Sequence, residues 1–80
     1  MRVRYVGKSF GIDSLTNGKE YDVISYYADS GALQIIDDSG EDYLYDPRNP
    51  RPIALPDHPG GKFEIVDDDE DGTLFKAIHG

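Results

Sequence analysis

Glycine and proline divide this chain into short segments. Eight internal glycines, and five prolines that all fall between positions 47 and 59, separate runs rich in Val, Ile, Tyr, Phe and Leu. Short β-favouring runs at regular spacing, bounded by turn residues, are typical of small barrels and sandwiches. Eighty residues leave room for one domain. The sequence therefore predicts a single all-β domain over residues 1–80.

Six segments have the composition expected of strands. They are residues 2–6, 20–27, 32–37, 41–45, 62–67 and 73–78. The turn at 38–40 makes the third and fourth segments the clearest hairpin. The last segment also fits one face of a helix, through Leu74, Ala77 and Ile78. A strand is favoured there because it would close the edge of a barrel.

Alternation along the strands predicts which side chains are buried. Tyr5 and Tyr21 are expected in the core, because so small a domain has too few large aliphatic residues without them. In the second strand, Val23 should lie on the face of Tyr21, and Tyr26 on the opposite face.

Residues 46–61 hold all five prolines and cannot form a central strand or a helix. Proline lacks the backbone N–H that a ladder needs, and its ring stops helix continuation. We expect an ordered Pro-rich loop that crosses from one part of the barrel to another.

The chain has no cysteine, which excludes disulfides, thiolate zinc sites and cysteine nucleophiles. The N-terminal residues have no long apolar run after their basic positions, so no signal peptide or membrane helix is expected. A small domain without disulfide bonds is typical of the cytoplasm.

The net charge of −8 is unevenly distributed. Residues 1–36 are balanced, whereas residues 37–71 hold twelve acids and three bases. Such a surface repels phosphate backbones and anionic membranes. It suits a cation or a basic partner, or it serves only solubility.

Three segments resemble a known family. They are LTNGKEYDV at 15–23, DDSGEDYLY at 37–45 and NPRP at 49–52. In this order they resemble a family of short SH3-like β-barrel proteins from bacteria and their prophages. The resemblance implies an SH3-like barrel of five or six antiparallel strands with one long Pro-rich loop. It carries no activity, substrate or catalytic residue.

The acidic run at 67–72 contains the pattern D-x-D-x-D-G. Asp67, Asp69 and Asp71 match the first half of a calcium loop, in which alternate carboxylates surround the ion. The position that should supply a bidentate Glu is Ile78. The sequence thus predicts at most weak Ca²⁺ binding, and the alternative is an exposed turn.

A second acidic run spans residues 37–42. Brought next to 67–71, it would form one negative surface that binds a cation or a basic partner, or that mimics a nucleic acid. The alternative is two separate solvated turns.

Three of the six tyrosines, Tyr26, Tyr43 and Tyr45, are predicted to form an exposed aromatic face. With Arg48 and Arg51 in the following loop, they are similar to the aromatic groove in which SH3 domains bind proline-rich peptides. The alternative is that the chain's own Pro47, Pro50 and Pro52 pack onto these rings.

Other function classes have weaker signals. Arg2 and Arg4, with the two loop arginines, do not offset the negative charge, so nucleic-acid binding is not expected. His58 and His79 have no triad or ligand spacing. The leading hypothesis is a monomeric, non-catalytic protein-interaction module without a cofactor. Its alternative is the acidic protein acting through 37–42 and 67–71.

Overall fold

A computed structural model describes residues 1–9, 14–51 and 57–80 of the chain. Over these residues the chain forms five antiparallel strands and one short helix. The elements are β1 (Arg2–Gly7), β2 (Glu20–Tyr27), β3 (Ala32–Ile36), β4 (Asp42–Tyr45), β5 (Gly61–Asp67) and α1 (Thr73–His79). The first five predicted strands are confirmed to within one residue at each end. No helix in the described part is long and apolar enough to cross a membrane.

The strands form one sheet in the order β4-β3-β2-β1-β5. β2 pairs with β1 through residues 20–22 and with β3 from Val23 onward. Ile24 is left without a partner at this transition, where the register shifts. An extra residue of this kind bends a strand and increases its twist. The sheet is open, with β4 and β5 at its two edges.

The predicted sixth strand is wrong, because residues 73–79 form a helix. Leu74 and Ala77 are buried on one helical face and Ile78 packs at its margin. Carboxylates in the preceding acidic turn accept hydrogen bonds from N–H groups of the first helical turn. The apolar residues of this segment fit either a strand or a helix, and the hydrogen bonds from the preceding turn favour the helix.

The core lies on one face of the sheet, with α1 packed against it. Tyr5 and Tyr21 are buried as predicted, and the Tyr5 ring meets Phe63 edge to face at 6.1 Å. The other members of this core cluster are Val3, Leu15, Val23, Leu33, Ile35, Leu74 and Ala77.

The Pro-rich segment after β4 is described at 46–51 and 57–61. Pro47 and Pro50 are buried, so this part of the loop packs inward. Gly60 takes a left-handed conformation (φ 74°), and a side chain there would collide with Asn49. Pro52 and the rest of 52–56 lie outside the described residues.

Candidate functional site

The strand register places all three predicted tyrosines on one face of the sheet. Leu33 lies between Tyr26 on β2 and Tyr45 on β4, and Ile35 is opposite Tyr43. Directly opposed residues in a ladder point to the same side. Because Leu33 and Ile35 are fully buried, this is the face that carries the core.

Tyr26 lies on this face because of the irregularity in β2. Alternation predicts it on the side opposite Tyr21 and Val23, but the unpaired Ile24 shifts the register by one residue. A shift of one reverses the face of every later side chain. The predicted orientation is therefore wrong, and Tyr26 packs half-buried against the core.

Tyr45 is anchored through its hydroxyl, which donates to Asp37 Oδ2 at 2.7 Å. Asp37 is only 7% exposed, and its Oδ1 accepts from the backbone N–H and the hydroxyl of Ser39. Burial of the ring and the nearby Asp37 carboxylate raise the pKa of Tyr45 well above its usual value. This ring fixes the β3–β4 hairpin and leaves only part of its surface for a partner.

Tyr43 is the exposed member of the set, with 51% of its surface accessible. Its hydroxyl donates to Glu41 at 3.2 Å, and this bond raises the pKa of Tyr43. The next residue, Leu44, is 58% exposed on the opposite face of β4. Sequence reasoning did not single out Leu44, although alternation along β4 predicts its outward position.

The two loop arginines differ in their surroundings. The Arg48 backbone N–H donates to Asp46 at 2.9 Å, and its guanidinium donates to the Gly80 carbonyl oxygen. Arg48 therefore lies beside the end of α1. Arg51 is exposed.

Two of the predicted calcium residues, Asp69 and Asp71, belong to a turn that caps α1. Asp69 Oδ1 accepts the N–H groups of Asp71 and Thr73, and Oδ2 accepts the Thr73 hydroxyl. The hydrogen bonds from Thr73 lower the pKa of Asp69. Asp67 is the last residue of β5, opposite Arg2.

The neighbouring Asp68 completes this cap. Its Oδ1 accepts the Leu74 N–H at 2.8 Å and its Oδ2 the Phe75 N–H at 3.1 Å. Over 1–9, 14–51 and 57–80, no three His, Cys, Asp or Glu side chains are grouped closely enough to hold a metal. The geometry thus gives Asp68 and Asp69 a structural use, and calcium binding stays a prediction.

The two acidic turns lie at opposite ends of the sheet. β3 runs parallel in direction to β1, whereas β5 runs antiparallel to it. The turn after β3 is therefore at the end of the sheet where β1 ends, and the turn after β5 is where β1 begins. The topology does not bring 37–42 and 67–71 into one surface.

Asp38, in the first of these turns, is a structural residue that sequence reasoning missed. Its Oδ1 accepts from Lys19 Nζ at 2.6 Å and from the Tyr21 hydroxyl at 3.0 Å, and its Oδ2 accepts from Thr16 Oγ1 at 2.7 Å. Burial alone would raise the pKa of Asp38, but the bonds from Lys19, Thr16 and Tyr21 outweigh it and lower that pKa.

These contacts join two segments that are far apart in the sequence. Residues 15–23 supply Thr16, Lys19 and Tyr21 to the network, and residues 37–45 supply Asp38. Leu15, the first residue of the 15–23 segment, is buried. The role of Asp38 depends on a Thr-x-x-Lys-x-Tyr pattern in one segment and a carboxylate in another. The spacing of residues within one segment does not reveal such a pairing.

The basic face of β1 is matched by acids on both neighbouring strands. Arg2 forms an ion pair with Asp22 and Arg4 with Glu20, both at 2.9 Å. On the other side, Arg4 lies opposite Glu64. Arg2 and Arg4 are thus paired with carboxylates of a neighbouring strand at the sheet surface.

Both histidines have local structural contacts. His58 Nδ1 accepts the Gly60 N–H at 2.9 Å within the turn before β5. The His79 ring lies 5.1 Å from Phe75 on α1.

No family model, no curated protein and no solved structure matches this chain.

Proposed function

We propose that the chain is a non-catalytic protein-interaction module with an SH3-like fold, whose contact surface is centred on Tyr43. Support for the fold comes from the strand order and from the way β2 passes from β1 to β3 at an irregularity. Strands that change partner at a bulge are how short antiparallel sheets turn a corner and curl towards a barrel.

The observation that carries the function is the exposed Tyr43 ring beside the anchored Tyr45. Tyrosine supplies a large contact area at a small cost in side-chain entropy, and it is enriched among residues that dominate binding energy. A fixed neighbour such as Tyr45 preorganises the surface. Tyr26 and Tyr45 lie on the same face of the sheet as Tyr43, and Arg48 and Arg51 follow β4 in the chain.

The test is a pull-down with the immobilised full chain from a lysate of its source cells. Wild-type protein, Tyr43→Ala and Tyr27→Ala are compared. Tyr27 is a matched control because it is 42% exposed but belongs to the opposite face of the sheet. We expect a captured protein whose yield falls about tenfold with Tyr43→Ala, the effect of about 1.4 kcal/mol of lost contact. Tyr27→Ala should retain it.

Two results would contradict the proposal. One is the same captured set for wild type and Tyr43→Ala. The other is a partner lost equally with Tyr27→Ala. Amide spectra of both variants establish beforehand that each is folded.

A further inference from the structure

Within residues 1–9, 14–51 and 57–80, β4 is an edge strand of the sheet. Among the described residues, β3 alone pairs with it. The Asp37 N–H donates to the Glu41 carbonyl oxygen at 3.2 Å, so Asp37 and Glu41 are a hydrogen-bonded pair of the β3–β4 ladder. Bonded and non-bonded pairs alternate in an antiparallel ladder, so Tyr43 and Tyr45 bond to β3. The N–H and C=O groups of Asp42 and Leu44 therefore face away from the sheet.

Side chains are exposed on both faces of this edge. Tyr43 stands on the core-facing side and Leu44 on the other, and each has more than half of its surface accessible. An incoming strand would bond to the free backbone groups and place alternate side chains beside these two. Natural proteins usually protect such edges with short strands, charge, prolines or bulges, and β4 is four residues long with Asp42 as its charged residue.

The acids along β4 are not compensated by bases. Glu41 accepts from the Tyr43 hydroxyl, Asp42 from the Gln34 amide and Asp46 from a backbone N–H. All of these donors are neutral, and in the described chain none of the three carboxylates forms an ion pair. In contrast, the acids that do form ion pairs are Glu20, Asp22 and Asp38.

We propose that the β4 edge binds an extended, basic segment of another protein by strand addition. This inference rests on the proposed interaction function and identifies the chemistry of its partner. Main-chain hydrogen bonds to Asp42 and Leu44 give affinity, Tyr43 and Leu44 contact alternate side chains, and Lys or Arg on the segment neutralise Glu41, Asp42 and Asp46.

A second copy of this chain fits the edge poorly. Two β4 strands paired edge to edge would bring together two sets of three unpaired acids, and like charges across a strand pair are destabilising. The same carboxylates that favour a basic segment therefore oppose self-association.

The probe is a blocked hexapeptide of alternating Lys and Val, titrated into the ¹⁵N-labelled full chain in about 0.1 M salt, where the Debye length is about 10 Å. We expect saturable shifts of the Asp42 and Leu44 amides. A Glu/Val peptide of the same pattern should leave them unmoved. A third peptide keeps the lysines and replaces two valines with proline, and it should bind at least tenfold more weakly because proline cannot donate to the ladder.

Two variants of the chain test the recognition directly. Combined Glu41→Gln, Asp42→Asn and Asp46→Asn should weaken binding of the Lys/Val peptide at least tenfold. The matched control neutralises Asp57, Glu70 and Asp71 instead, which are exposed acids before and after β5 at the opposite edge of the sheet, and it reduces the net negative charge equally. The control should bind the Lys/Val peptide within about threefold of wild type, because salt weakens the attraction between the peptide and exposed charges that are more than a Debye length away.

Several outcomes would overturn the inference. Equal binding of the proline-containing peptide would show general charge attraction, and shifts confined to another element would place the site elsewhere. No shift at millimolar peptide excludes strand addition. A doubled mass by sedimentation, with Asp42 and Leu44 shifts that depend on protein concentration alone, would make a second copy the occupant. If any of these peptide or sedimentation results occurs while Tyr43→Ala still loses its captured partner, the interaction function stands and only strand addition fails.

Discussion

The Lys19 ammonium lies 2.6 Å from Asp38 Oδ1 and joins the turn before β2 to the turn after β3. The Asp38 side chain is largely buried, and the hydroxyls of Thr16 and Tyr21 also donate to its carboxylate. Hydrogen bonds to an ionised group contribute more than neutral ones, and leaving their donors unpaired is costly. This carboxylate thus connects segments that are distant in sequence.

Replacing Asp38 with Asn should lower the free energy of unfolding by about 1–3 kcal/mol, measured by urea denaturation. The amide keeps the size of the side chain but removes the charge and one acceptor. Asp29→Asn is the control, because Asp29 is exposed in the turn between β2 and β3, and it should change stability by less than about 0.5 kcal/mol. Equal effects of the two substitutions would contradict the central role of Asp38.

The same substitution should have a pH-dependent effect. The pKa of Asp38 is lowered in the folded state from its ordinary value of 3.8, so the unfolded chain binds more protons between the two values. The contribution of the ionised Asp38 to the free energy of unfolding is complete above the pKa that Asp38 has in the unfolded chain. It is lost as the pH falls through the lower pKa that Asp38 has in the folded protein. The stability difference between wild type and Asp38→Asn should therefore be constant from pH 7 to about 5 and narrow below about 4. A difference that widens on acidification would refute this assignment.

Removal of the Tyr45 hydroxyl should destabilise the β3–β4 hairpin. Tyr45→Phe leaves the buried Asp37 carboxylate without one donor, for an expected loss of about 1–3 kcal/mol in unfolding free energy. Tyr43→Phe is the matched control on the same strand, because its hydroxyl bond to Glu41 is exposed to water. The raised pKa of Tyr45 also predicts that stability falls above about pH 10, because Tyr45 ionises there in the unfolded chain but not yet in the folded protein. Tyr45→Phe should not show that part of the alkaline decline.

Asp69→Ala should loosen α1 more than Asp71→Ala does. The Asp69 carboxylate accepts two backbone N–H groups and the Thr73 hydroxyl, whereas Asp71 contributes its backbone N–H to this turn. Amide exchange at Thr73 to Ala77 reports the loosening. The pKa of Asp69 is lowered on folding, so this capping is present above its ordinary pKa and is lost at acid pH. Equal exchange in the two variants would indicate that the cap has no role.

Sequence periodicity predicted the first five strands and failed for the last segment, where hydrogen bonds from outside the segment decide. Val3, Tyr5, Leu33 and Ile35 are buried as alternation requires. Residues 73–78 fit a strand and a helix equally, and the deciding hydrogen bonds come from Asp68 and Asp69, outside the segment.

Local exceptions account for the other differences between sequence and structure. One unpaired residue, Ile24, reversed the orientation predicted for Tyr26. Charge runs are usually solvated, so an acidic turn gave no indication that Asp38 is held within a network. The exposed Tyr43 was predicted, whereas the free edge of β4 depends on sheet order, which a single sequence does not define.

Gly60 and Gly31 provide a matched pair for testing the contact between the loop and β5. Both adopt nearly the same left-handed conformation, with φ of 74° and 73°. A Cβ at Gly31 would meet open space, whereas one at Gly60 would collide with the Asn49 side chain. Alanine in this conformation costs about 1–2 kcal/mol at either position, and overpacking adds about 1–3 kcal/mol at Gly60.

Gly60→Ala should therefore lower the urea midpoint clearly more than Gly31→Ala does. In an Asn49→Ala background the two substitutions should become nearly equal, because the colliding amide is gone and only the backbone strain remains. The coupling between Gly60→Ala and Asn49→Ala, obtained from a double-mutant cycle, isolates the steric part. A coupling near zero would mean that Asn49 moves aside freely, and that the loop does not hold its position against β5.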